Sequence, residues 1–502
     1  MGITLKSLRS LLVYKNYYLI VAASVLIRLV FLTLQSGFWY FGDSFCYLLP
    51  KLLTNPIYTS GCPSHPLAIG WVWKIGSFGL MTENSVVLFQ SALSIISILF
   101  LYDLIKTYGS EDFAFTVSLL WSIFPLGLIF ERTLMTESVS TSLLIILLWV
   151  VHKILLTKMS QQRIICLFSA AGILGILAVV RPQLEFSAAF VFLVLLVLFY
   201  KKNRDFASSK LIRRLTIPLL IIASVICIYP VNAMASYNKR VFNTYSLDPS
   251  SGSFVFARWL PLINCEQKPY FTPVTSSAVA YACGKKFPSN PGISLQDAIF
   301  SSPLDPLSVT ATFQPPGVDK LLGKTESQLI SLTMTAVLTH PLQVTQQVGI
   351  SIIHQLFYAP VRDTYDYTNG SNLFFKPLPN SMQTWFNGET SRKYSSLPYF
   401  ARIVNITYRW PQYMLLFTIF LWVRREYLRM RTKTLKRIYN PMRIFDDAKK
   451  TLTLVCWSFI SLPIMATALT DFSNFRLFLN LVPAMTVLGV LLSEETKTIT
   501  IV

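Results

Sequence analysis

Charge is scarce in this chain. Only 14% of its 502 residues are Asp, Glu, Lys or Arg, against 53% hydrophobic, and the mean hydropathy is +0.51. A soluble protein of this length needs a charged surface, so the scarcity excludes that class and points to a membrane. There is no Gly-rich phosphate loop, no Cys/His zinc pattern and no G-x-S-x-G elbow among the residues. Nucleotide-driven transport and hydrolase chemistry lose their usual signatures with them. No A-x-A-type cleavage site follows the first apolar run, which therefore reads as a retained helix. No convincing internal repeat is visible either, which counts against the common transporter architectures.

What is present is a series of apolar runs separated by short basic blocks. The formal charge of +20 would suit nucleic acid if it formed one face. It is divided among loops instead, so no nucleic-acid partner is expected. About ten spans are expected: Tyr18–Leu34, Ser85–Tyr102, Phe113–Phe130, Ser138–Val151, Ile164–Val180, Leu184–Tyr200, Leu215–Tyr229, Tyr408–Val423, Leu452–Leu469 and Phe475–Leu492. With the N-terminus in the cytoplasm, every dense basic block lands inside. These blocks are Lys6 to Lys15, Lys153 to Arg163, Lys201 to Arg214, and Arg424 to Lys450 with its ten Lys or Arg. Counting Pro66–Met81 or Gln346–Pro360 as spans would break that rule, so both read as helices lying on or dipping into the outer interface.

The expected fold class is thus an all-α integral membrane bundle with outer interfacial helices and a long extracytoplasmic loop subdomain. Its parts are a membrane module over 1–229 with a first outer loop over 35–82, the loop subdomain over 230–407, and a membrane module of three spans over 408–502. A connector as long as the second part should fold on its own or act as a lid. Cys46 and Cys62 lie in the first outer loop, and Cys265 and Cys283 in the second. Two local pairs, Cys46–Cys62 and Cys265–Cys283, would suit an oxidising compartment; four free thiols are the alternative.

Polar residues at the outer helix ends are the candidates for chemistry. Asp43 follows the first span at membrane height, where a carboxylate costs free energy without a partner or a task. A turn aspartate after Gly42 is the plainer reading. Glu137 opens the fourth span, and a favourable helix-end charge would account for it too. Arg132 shares its turn, Arg181 ends the fifth span, and Asp471 and Arg476 lie between the last two. Arg28, inside the first span, either snorkels outward or pairs within the bundle. Acids and arginines from several helix ends converge on one membrane face, which suits an anionic lipid head group. His65 can bind a metal or an acceptor, although a lone histidine is more often a loop hydrogen-bonder. Arg258 can line an acceptor groove, or be a solvated arginine beside Trp259.

These residues occur in a familiar order. A first-loop Gly-Asp-x-x-x-Tyr, from Gly42 through Asp43 to Tyr47, precedes a Tyr/Pro-rich stretch and an interfacial helix. An acid-bearing "LMTES" turn opens the fourth span, "RPQ" follows the fifth, "THPLQV" starts at Thr339, and a late D-x-x-x-x-R precedes a Pro-containing last span. In this order the chain resembles the GT-C superfamily of polytopic glycosyltransferases, and most the branch of protein mannosyltransferases and aminoarabinose transferases. The likeness is carried by topology and order from about residue 18 to 200, with "THPLQV" beyond.

The resemblance implies transfer of a sugar from a polyprenyl-phosphate donor to a protein or glycan acceptor on the extracytoplasmic face. It implies Asp43 as the base, and Glu137 as an acid arranging the acceptor or a divalent metal. Arg132, Arg181 and Arg476 would hold the donor phosphate, and His65, Tyr47, Arg258 and Asp471 are acceptor or metal candidates. Mannosyltransferases of this branch often carry a second acid beside the first-loop Asp, and here Ser44 stands in that place. The expected setting is a bacterial cytoplasmic membrane. A flippase for a lipid-linked sugar, and a polysaccharide polymerase or ligase, are the competing readings.

Overall fold

A computed structural model shows the chain as an α-helical membrane protein. It describes residues 5–34, 68–80, 82–133, 136–157, 159–206, 210–249, 251–259, 262–263, short pieces within 275–283, 319–357, 410–431, 447–470 and 475–501. In chain order the helices are α1 (Leu5–Leu34), α2 (Ala68–Gly76), α3 (Glu83–Tyr108), α4 (Glu111–Ser122), α5 (Pro125–Phe130), α6 (Glu137–Leu156), α7 (Ser160–Val180) and α8 (Glu185–Phe206). They continue with α9 (Lys210–Phe242), α10 (Ser251–Trp259), α11 (Asp319–Thr339), α12 (Pro341–Phe357), α13 (Trp410–Arg431), α14 (Ala448–Thr470) and α15 (Phe475–Ile501).

Among the described residues, seven helices are long and apolar enough to cross a bilayer. They coincide with seven of the expected spans, on α1, α3, α6, α7, α8, α9 and α14. The expected Phe113–Phe130 span is interrupted, because Pro125 cannot extend the helix before it and favours extended backbone at Phe124 (φ −61°, ψ 113°). The two remaining expected spans lie on α13 and on α15, whose described apolar stretch is Asn480–Ser493. The expected boundary at 229/230 falls inside α9, which runs through Pro230 to Phe242. Proline is tolerated there because neighbouring groups in a membrane bundle can satisfy the freed carbonyl. The two segments read as interfacial contain helices, α2 and α12.

The most enclosed span is α6, and α1 and α9 are the least buried. Helices in lipid gain little from hydrophobicity alone, so close approach through small residues matters. On α7, Gly172 and Gly175 let α9 approach until a Cβ on Gly175 would stand 2.4 Å from the Cys227 carbonyl oxygen. Because that neighbour is backbone, Gly175→Ala should cost about 1–3 kcal/mol through overpacking, read as a lower thermal midpoint in detergent. Gly172→Ala, with its nearest neighbour at 3.8 Å, should be nearly neutral.

The two ends of the bundle differ. At one end α3 meets α4, and Glu111 accepts from Lys106, Tyr102 and Asn16. The Lys106 ammonium, with help from the Tyr102 hydroxyl, holds the Glu111 carboxyl below its ordinary range. Asp103 nearby accepts from Trp149 at 2.7 Å and pairs with Lys153 at 2.8 Å. At the other end lie the turn between α5 and α6, the end of α7 and the start of α8. The candidate site is built there.

Candidate functional site

The site begins with the interruption at Pro125. Had the helix continued, Glu131 would have travelled on along its axis. Instead α5 adds one short turn and leaves Glu131 at its C-cap, only 3% exposed. Arg28 crosses from α1 to meet it. The Arg28 Nε donates to Glu131 Oε2 at 2.7 Å, and Nη2 donates to Oε1, making a two-pronged ion pair. Nη1 donates to the Ser24 carbonyl and Nη2 to Ser94 Oγ, each at 2.9 Å. Arg28 therefore pairs inside the bundle, and the fork geometry is the arrangement in which guanidinium and carboxylate bind best.

A second ion pair stands across from it. Glu137 is the first residue of α6 and is fully buried. Its Oε1 lies 3.2 Å from Nη1 of Arg181, which ends α7, and the same Nη1 donates to Thr136 Oγ1 at 3.0 Å. The Arg181 Nε is buried and has no hydrogen-bond partner among the described residues. Helix α6 is also tied to the C-terminal module, where Ser140 Oγ donates to Asn480 Oδ1 at 2.5 Å.

Glu131 and Glu137 face one small cavity of about 20 Å³, edged also by Ser94, Ser138, Trp121 and Phe124. That is room for one water molecule. Trp121 and Phe124 also wall a far larger groove of about 860 Å³. This groove runs between α4, α13 and α15, past Phe113, Phe417 and Met485. Its lining is apolar along most of its length, so an elongated hydrocarbon suits it, with the acids beside its end.

The expected site residues are distributed as follows. Glu137 and Arg181 come together. Arg132 is 4% exposed and its Nη1 donates to the Phe31 carbonyl at 2.8 Å. Arg258 is 3% exposed, so it is not a solvated residue. Its Nη2 donates to the Gln347 carbonyl at 3.2 Å and its Nε to the Ala468 carbonyl at 3.4 Å, while its guanidinium lies 5.2 Å from the Trp259 ring. The neighbouring Trp259 Nε1 donates to the Leu469 carbonyl, so both residues fasten the end of α14. Arg476 lies in the first turn of α15, and its side chain is outside the described set. Asp43, Tyr47, His65, Asp471, Cys46, Cys62 and Cys265 lie outside the described residues. Cys283 is disulfide-bonded, and Cys166, Cys227 and Cys456 are free. No group of three or more His, Cys, Asp or Glu side chains meets among the described residues.

The sequence reading gave no role to Glu131 and missed the serines that serve it. A signal existed: Ser91, Ser94 and Ser97 recur every three residues along the middle of α3, and Ser138, Ser140, Thr141 and Ser142 crowd the start of α6. Such hydroxyls in a membrane helix mark a polar seam between helices. Comparison of the chain with protein families, with curated proteins and with solved structures finds no match.

Proposed function

We propose that this protein is a membrane glycosyltransferase that moves a sugar from a polyprenyl-phosphate donor to a protein or glycan acceptor at the extracytoplasmic face. The observation that carries this reading is the sharing of Trp121 and Phe124 between the long apolar groove and the Glu131–Glu137 cavity. A lipid chain lying in the groove would bring its phosphate to the acid end of the bundle. Arg181, paired there with Glu137, is the proposed cation for a phosphate oxygen. The ten-span topology, with the N-terminus in the cytoplasm, belongs to the same proposal and rests on the basic blocks.

The chemistry needs little else. The acceptor oxygen attacks the anomeric carbon as the bond to the phosphate oxygen breaks. The bonding pair leaves with the phosphate, and the acceptor proton passes to Asp43 as base. A direct displacement of this kind inverts the anomeric centre. The leaving phosphate is already an anion, so it needs cations rather than a proton. Arg181 is one source, with Arg476 proposed beside it. Glu137 would orient the acceptor or a divalent metal.

A transporter of the same lipid-linked sugar is the second reading, favoured by the discontinuity between α4 and α5 beside the groove. One experiment separates the two. Purified protein is incubated with labelled polyprenyl-phosphate sugars, hydrolysed background is subtracted, and Asp43→Asn is compared with wild type. Turnover on at least one donor is expected, falling about 100-fold or more in the variant, the usual weight of a general base. Equal turnover by both proteins removes Asp43 from the mechanism. Movement of intact donor across vesicles without turnover would favour the transporter.

A further inference from the structure

We infer that the turn at 131–133 is a shared anchor for both flanks of the segment 35–67, and that Gln90 and Arg132 are the positioning residues that make it so. One flank is the end of α1. Its last carbonyls have no partner within the helix, and one of them, on Phe31, accepts from Arg132 Nη1 at 2.8 Å. Arg28, one turn earlier on the same helix, holds the Glu131 carboxylate. The other flank is α2. There Trp73 is fully buried and its Nε1 donates to Gln90 Oε1 at 3.3 Å. Gln90, also fully buried, donates from Nε2 to the carbonyls of Glu131 at 2.9 Å and Thr133 at 3.2 Å.

Gln90 suits this task. A glutamine amide offers donors at one atom and an acceptor at the other. Here the donors hold the turn and the acceptor holds α2, so one side chain joins the two elements. Buried carbonyls in an irregular turn need such a donor, since no helix supplies one. The packing agrees: Gly76, ending α2, lies so close to Phe89 on α3 that a Cβ would stand 2.3 Å from that ring. The segment that bears Asp43 therefore leaves α1 and enters α2 at two points referred to the same turn, and that turn leads directly into Glu137. The placement of the two flanks, the end of α1 and the start of α2, relative to Glu131 is thus referred to this one turn. Its consequence for turnover rests on the transferase reading; the anchoring does not.

Hydrogen–deuterium exchange on the full chain in detergent tests it without any substrate. Gln90→Leu keeps the side chain's bulk and removes its hydrogen bonds. It should speed exchange about tenfold in 68–76 and 131–133. It should also speed exchange in 29–34, although the Gln90 hydrogen bonds run to the turn and to α2, because the turn is common to both. Arg132→Met should loosen 29–34, with Arg132→Lys restoring part of the protection. Helices α7 and α8 should be unchanged throughout. Loosening of α2 alone by Gln90→Leu overturns the shared anchor. Uniformly faster exchange in every helix overturns it too, since it would mark Gln90 as an ordinary core residue. If Gln90→Leu does not fold, Gln90→Glu, which keeps the shape and loses the amide donors, is read by the same criteria. A failed turnover assay with the exchange pattern intact would count against the transferase reading only.

Discussion

Arg28→Met should destabilise the protein by about 3–5 kcal/mol, because it leaves the Glu131 carboxylate buried without its counter-charge. Glu131→Leu should cost a similar amount by stranding Arg28. The double variant Arg28→Met/Glu131→Leu should recover most of the loss, since neither charge is then left in the interior. The physical reason is the placement of the pair: the Glu131 side chain is 4% exposed and that of Arg28 10%, so water cannot replace either partner. Additional hydrogen bonds from Arg28 to Ser24 and Ser94 make the site specific for the guanidinium fork, and Arg28→Lys should rescue little. Thermal and denaturant unfolding in detergent measure all four variants. Strict additivity of the two single losses would show that the pair is not coupled, and would remove Glu131 from the account of the site.

The second large effect concerns the groove. Gly489 lies on its wall in α15, and a Cβ there would meet nothing within 4 Å among the described residues. Gly489→Phe should therefore place a ring in the groove without straining its neighbours. Stability should stay level or rise, since glycine inside a helix costs about 0.5–1 kcal/mol relative to alanine. Donor binding should weaken about tenfold or more, equivalent to roughly 1.4 kcal/mol, and turnover on lipid-linked donors should fall with it. Gly349 on α12, which is also in open space but away from the groove, supplies the control: Gly349→Phe should leave donor binding unchanged. Equal donor affinity in the wild type and Gly489→Phe would mean that the lipid chain lies elsewhere.

The ion pair decides whether the turn after α5 is held in place. The groove decides whether a lipid chain has a path to it. A protein with a normal groove and a loosened turn should still bind donor but misplace it, so its kcat should fall more than its KM rises. A blocked groove should show the opposite split.

Much of this was legible in the residues. Among the described residues, the seven helices long enough to cross a bilayer coincide with seven expected spans, because a stretch of some 20 apolar residues has few other fates in a chain so poor in charge. The pairing of Glu137 with Arg181 was legible as convergence on one face, because adjacent antiparallel helices bring the start of α6 beside the end of α7. Arg28 inside a span was legible as an anomaly, but its partner was not. That depended on the turn that Pro125 imposes, and a single proline in an apolar run reads equally well as a kink in a continuous span. Arg132 and Arg258 show the same limit. Charge and position made each a candidate for ligand binding, yet their guanidinium groups reach backbone carbonyls at the ends of α1 and α14. A sequence pattern cannot show which helix ends lie within reach of a long side chain.

What the sequence by itself determined was the all-α membrane class and seven of the described helices that are long enough to cross a bilayer, through the scarcity of charge and the lengths of the apolar runs. Only the tertiary structure decided which buried charges are partners, where the groove runs and which turn holds the flanks of the segment bearing Asp43. Those contacts join residues about 40 to 100 positions apart. They follow from the packing of whole helices, which no local period of hydrophobicity encodes.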